Sequence, residues 1–96
     1  MNTVELQEGV LGNLRWEEFA AKLRTAMAED YGLEGVTIVL REMTAEEATE
    51  GDDELLTFNQ ESQRFEVALP PGKFPAAWKI ADRIDCFLNP DAGGDG

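Results

Sequence analysis

The chain has 96 residues, enough for one hydrophobic core and too few for two. Twenty Asp and Glu against eight Lys and Arg give a formal net charge of -12, a field that repels phosphate backbones and anionic lipid surfaces and so disfavours direct binding to nucleic acid or membrane. Histidine is absent and Cys86 is the only cysteine, which excludes Ser-His-Asp and Cys-His catalysis, His-ligated zinc, an internal disulfide and a multi-cysteine zinc cluster. Hydrophobic residues are 43% of the chain and fall in periodic runs, so the sequence is expected to fold despite its charge.

Residues 1–13 read as a lead-in, extended or loosely ordered: Val4, Leu6, Val10 and Leu11 are apolar but keep no period. The opening residues lack the basic and apolar regions of a signal peptide, and no run of about 18 apolar residues occurs, so a cytoplasmic location is expected. From Leu14 to Tyr31 the spacing of Trp16, Phe19, Ala20, Leu23 and Met27 predicts an amphipathic helix. Asn13 is placed to cap it, and Gly32 to end it. Val36 to Arg41 alternates β-branched and aliphatic residues and predicts a strand facing the core with Val36, Ile38 and Leu40.

Thr44-Ala45-Glu46-Glu47 has the capping-box pattern and predicts a short helical turn ended by Gly51. Glu54 to Phe58 and Arg64 to Leu69 are alternating runs joined by polar residues, which predicts an antiparallel hairpin stopped by Pro70-Pro71. A second long helix is expected over Ala76 to Leu88, with Ala77, Ile80, Ala81, Ile84, Phe87 and Leu88 toward the core and Cys86 as a small buried residue. The expected fold is α+β: a small three-stranded antiparallel sheet with the two longer helices on one face and the short turn between the first and second strands. The domain spans residues 14–89, and the acidic, Gly-rich residues 90–96 are expected to be disordered.

No cofactor or metal site is expected, because the acidic run lacks the spacing of a calcium loop. Glu42, Glu46, Glu47, Glu50, Asp52, Asp53 and Glu54 place seven negative charges in one segment with no basic residue among them. That segment would suit a basic protein partner through Glu46, Glu47, Asp52 and Asp53, or be a solvated loop. With only three lysines, the acidity is equally readable as adaptation to high salt. Phe74 and Trp78 flank Pro75 and form the other candidate, an aromatic edge of the kind that anchors interfaces. The second face of the sheet, with Val39, Leu55 and Ala68 among Thr37, Arg41, Thr57, Arg64 and Glu66, is expected to be mixed, and would suit a partner or a second copy in a homodimer.

The expected function is therefore a non-enzymatic protein-protein interaction module. The acidic helix-then-strands layout is also similar, at the level of fold alone, to small secretion chaperones, which implies a dimer holding an unfolded client. A carboxylate-dependent enzyme is the third reading; it requires a desolvated carboxyl beside a cleft, and Glu66, the one acid set in an apolar run, is assigned by alternation to the open face.

Overall fold

The computed structural model describes residues 2–51 and 53–89. Asp52 and the predicted tail 90–96 lie outside them. The strands are β1 (Thr3–Leu6), β2 (Thr37–Glu42), β3 (Leu55–Asn59) and β4 (Arg64–Leu69); the helices are α1 (Leu14–Thr25), α2 (Ala45–Thr49) and α3 (Ala77–Leu88). They form one four-stranded sheet in the order β1-β2-β4-β3, in which β1 and β4 both run parallel to β2 and only β3 is antiparallel to its neighbour.

The α+β class is as expected, while the three-stranded antiparallel sheet is corrected to a four-stranded mixed one. Two physical facts account for the difference. Thr3–Leu6 is too short to show a period, and it is held as a strand by remote groups. Buried Asn2 donates through Nδ2 to the Leu33 carbonyl at 2.9 Å and accepts through Oδ1 from the Val36 amide at 3.0 Å, while the Thr3 amide donates to the Val36 carbonyl at 2.8 Å. The predicted hairpin is present between β3 and β4, but β4 rather than β3 lies beside β2, because Phe65, Val67 and Leu69 are the more apolar set and take the central position. The hairpin turn is built by Asn59, whose side-chain oxygen accepts from the Glu61 and Ser62 amides, and by Gln63 at a positive φ of 58°.

Asn13 caps α1, its Oδ1 accepting from the Arg15 amide at 3.0 Å. Beyond Thr25 the helix widens into a π-helical turn over Ala26–Asp30. Gly32 then leaves it at φ 62°, a conformation that glycine adopts without penalty. Trp16, Phe19, Leu23 and Met27 on this helix and Ile80, Ala81 and Ile84 on α3 are buried with Ile38, Leu40, Phe65, Val67 and Leu69 of the sheet. Both long helices therefore cover the same sheet face. Cys86 is exposed, which corrects its expected burial: it lies two residues beyond Ile84, about 200° around the helix from the buried stripe. Phe87 and Leu88, also expected inside, are 53% and 42% exposed, since α3 reaches the edge of the sheet at β3. No helix among the described residues is long and apolar enough to cross a membrane.

Replacing Asn2 by Ala strands a buried carbonyl and a buried amide, which is expected to cost about 1–3 kcal/mol. A lower urea midpoint, with the amides of β1 losing hydrogen-exchange protection ahead of those in β4, is the expected observation.

Candidate functional site

The second sheet face carries ion pairs. Val39 of β2 lies between Glu5 of β1 and Glu66 of β4 in the ladder. The Arg64 Nη1 reaches the Glu5 carboxylate at 3.0 Å, and the Arg41 Nε donates to the Glu66 carboxylate. Arg41 also grips Glu47 of α2 with both terminal nitrogens at 2.8 Å, a planar fork that matches a carboxylate. Ala68, opposite Arg41, is buried. Charge thus covers much of a face that its residue list alone makes half apolar.

Glu47 has two duties, because the capping box at Thr44 uses the same side chain: Glu47 Oε1 accepts from the Thr44 amide at 2.9 Å while Thr44 Oγ1 accepts from the Glu47 amide at 3.2 Å. The hydrogen bonds from Arg41, followed by the bond from the Thr44 amide, hold this carboxyl down at about 2. The hydrogen bonds to Glu47 and then to Glu66 raise the Arg41 guanidinium above its ordinary value. A carboxyl held ionised is the reverse of what a general acid needs.

The acidic segment is also less uniform in space than in sequence. Arg83 of α3 reaches Glu54 at 2.6 Å, so among the described residues the acidic run has two arginine partners, one for Glu47 and one for Glu54. Glu46 and Asp53 are exposed. Among the predicted docking acids, Glu47 is therefore committed to the fold, Glu46 and Asp53 face solvent, and Asp52 lies outside the described residues. No cluster of Cys, Asp and Glu among the described residues could hold a metal ion.

Phe74 and Trp78 are placed differently from each other. Phe74 is half-buried, its ring set edge-on to Trp16 at 5.1 Å and tilted against Phe19 at 5.5 Å, so it closes the core at the start of α1. Trp78, in the first turn of α3, is 53% exposed. It flanks a shallow groove of about 390 Å³ lined by Ala21, Ala26 and Ala77 together with Lys22, Thr25 and Asp30. Next to it a groove of about 330 Å³ runs between Phe19, Phe74 and Ala77, and a third, of about 180 Å³, joins Phe74 to Asp53.

Charge is distributed unevenly around these grooves. Arg41, Arg64 and Arg83 are held in ion pairs, whereas Arg15, Lys22, Arg24, Lys73 and Lys79 make none among the described residues. Four of those five, Arg15, Lys22, Lys73 and Lys79, line the three grooves, with Glu18, Asp30 and Asp53 as the acids there. Local charge is close to balance in a chain whose total is -12. Sequence reading found Phe74 and Trp78 but not their basic surround, because those four cations are spread from residue 15 to residue 79 and meet only when α1 and α3 lie side by side.

A larger cleft, about 670 Å³, lies elsewhere, at the π-helical turn, between Arg24, Glu29, Leu33 and Asn2. Nothing in the sequence reading marked it, since the spacing of Trp16, Phe19, Leu23 and Met27 fits an unbroken α-helix. At the far side of this turn Tyr31 has its phenol raised from the ordinary range, first by burial and then by Asp82.

Comparison with known proteins finds no matching family model, curated protein or solved structure.

The Glu47 contacts set a pH dependence. A carboxyl with a lowered folded-state pKa contributes stability that is complete above its ordinary value of 4.5 and is lost as pH falls toward about 2. Glu47→Gln is accordingly expected to lower the melting temperature at neutral pH, and the gap from wild type should close across that acid interval in thermal scans by circular dichroism.

Proposed function

We propose that this chain is a non-enzymatic protein-protein interaction module, and that the helical surface around Trp78 is where its partner docks. The observation that carries this reading is the exposure of a tryptophan beside a groove lined by three alanines, in a near-neutral patch of an otherwise anionic molecule. A tryptophan in such a position offers a large apolar area at the cost of two side-chain torsions, which is why this residue dominates interface energetics. Arg15, Lys22, Lys73 and Lys79, which line the grooves, favour a partner segment carrying carboxylates beside its apolar contact, since each would find a cation that makes no ion pair among the described residues.

A second reading rests on α2 and the loop after it. Glu46, Glu50 and Asp53 are exposed and make no ion pair among the described residues, so a basic partner could be held there. In this reading the surface is electrostatic and has no apolar anchor, which gives faster association and a stronger salt dependence than a groove centred on Trp78.

Trp78→Ala decides between them. Immobilised wild-type chain and the variant are exposed to a lysate of the native host, and captured proteins are identified by mass spectrometry. Loss of the principal partner with Trp78→Ala, corresponding to roughly 30-fold weaker binding or about 2 kcal/mol, is expected. Capture that survives this substitution but is abolished by Glu46→Gln with Asp53→Asn overturns the Trp78 site in favour of the acidic one.

A further inference from the structure

The cleft of about 670 Å³ beside the π-helical turn has a wall that the fold holds in place. Gly32 turns the chain back at the end of the helix, and Leu33 is then pinned on both sides of its backbone. Its amide donates to the Met27 carbonyl at 2.8 Å, and its carbonyl accepts from Asn2 Nδ2 at 2.9 Å. This return brings Leu33 and Glu34 to the same cleft as Arg24, Ala28 and Glu29 of the helix. A wall set in advance spares a ligand the cost of ordering it. The volume falls within the range of small-molecule sites, about 300–1,000 Å³.

The charges in this cleft are arranged unlike those on the sheet. Arg41, Arg64 and Arg83 close directly on carboxylates, whereas Arg24, Glu29 and Glu34 line one cleft and make no ion pair among the described residues. Cation and carboxylates are held apart there, with the apolar side chains of Ala28 and buried Leu33 beside them. Asn2, 4% exposed, adds a carboxamide of which the fold engages one N–H and one oxygen lone pair among the described residues; a carboxamide has one more of each.

We propose that this cleft binds a small zwitterion with an apolar body, an amino acid or a short peptide, whose carboxylate meets Arg24 and whose ammonium meets Glu29 and Glu34. Charge selects this class. A simple anion enters against two glutamates and the field of a chain carrying -12, and a simple cation meets Arg24. A ligand that carries both signs does no net work against that field and gives each protein charge a partner. The guanidinium fork of Arg24 matches a carboxylate in shape as well as in sign. The groove beside Trp78 has only Thr25 in common with this cleft, so the inference stands independently of the proposed partner site.

Titration of the purified full chain with L-leucine and with L-leucyl-L-leucine, followed by amide NMR, tests it and separates the two sources of the zwitterion. Isocaproate, which is leucine without its ammonium, and isoamylamine, which is leucine without its carboxylate, are the controls. At least one zwitterion is expected to give saturable shifts at Ala28, Glu29, Leu33 and Glu34, and both controls to bind about tenfold more weakly or less. Arg24→Gln, and Glu29→Gln with Glu34→Gln, are expected to weaken the zwitterion by a similar factor at an unchanged melting temperature, since none of these side chains is paired within the described fold. The inference is overturned if neither zwitterion gives saturable shifts at these amides, or if binding survives Arg24→Gln. A control that binds as tightly as the zwitterion also overturns it, and that comparison needs no variant.

Discussion

Ile38, Leu40, Phe65, Val67 and Leu69 form one continuous apolar surface across the two central strands, and it can leave water only under a layer of helices. The chain supplies two helices of adequate length, and both lie on that side. Everything else about the surface follows from this one-sided burial. The second face must be made compatible with water, the edges have no helix to cover them, and the outer sides of α1 and α3 are free to carry recognition.

The second face shows how few cations are needed when they are well placed. Two arginines, Arg41 and Arg64, bind three glutamates, Glu5, Glu47 and Glu66, across β1, β2, β4 and α2. Exposed pairs of this type contribute little singly, but Arg41 joins two carboxylates and fixes α2 to the sheet by a two-point contact. Arg83 does similar work between α3 and the start of β3. With three of eight cations so committed, four of the remaining five gather at the junction of α1 and α3, where the exposed Trp78 is found. A chain with a large anionic surplus thus presents one surface of nearly balanced charge.

Local signals carried much of the architecture. The apolar stripes of both long helices, the Asn13 cap, the Thr44-Glu47 capping box and the β3-β4 hairpin are each written within a dozen or so residues, because their hydrogen bonds and side-chain contacts are short-range in sequence. The candidate site was legible in part. Trp78 stands at the margin of its helical stripe and could be read as exposed, whereas Phe74 could not be distinguished from it until Trp16 and Phe19 were seen to take up its ring.

By itself, the sequence determined an acidic α+β fold without imidazole chemistry, with core residues on two helices and on alternating strands, since burial pattern and composition are properties of the chain alone. Only the tertiary structure decided that Thr3–Leu6 joins the sheet, that β1 and β4 run parallel to β2, that Glu47 and Glu54 are neutralised by arginines, and that β3 lies at the edge of the sheet. Each of these depends on groups tens of residues apart, such as Asn2 with Val36, Arg41 with Glu66 and Glu54 with Arg83. Contacts of that range leave no period in the chain, because the partners are chosen by packing in three dimensions.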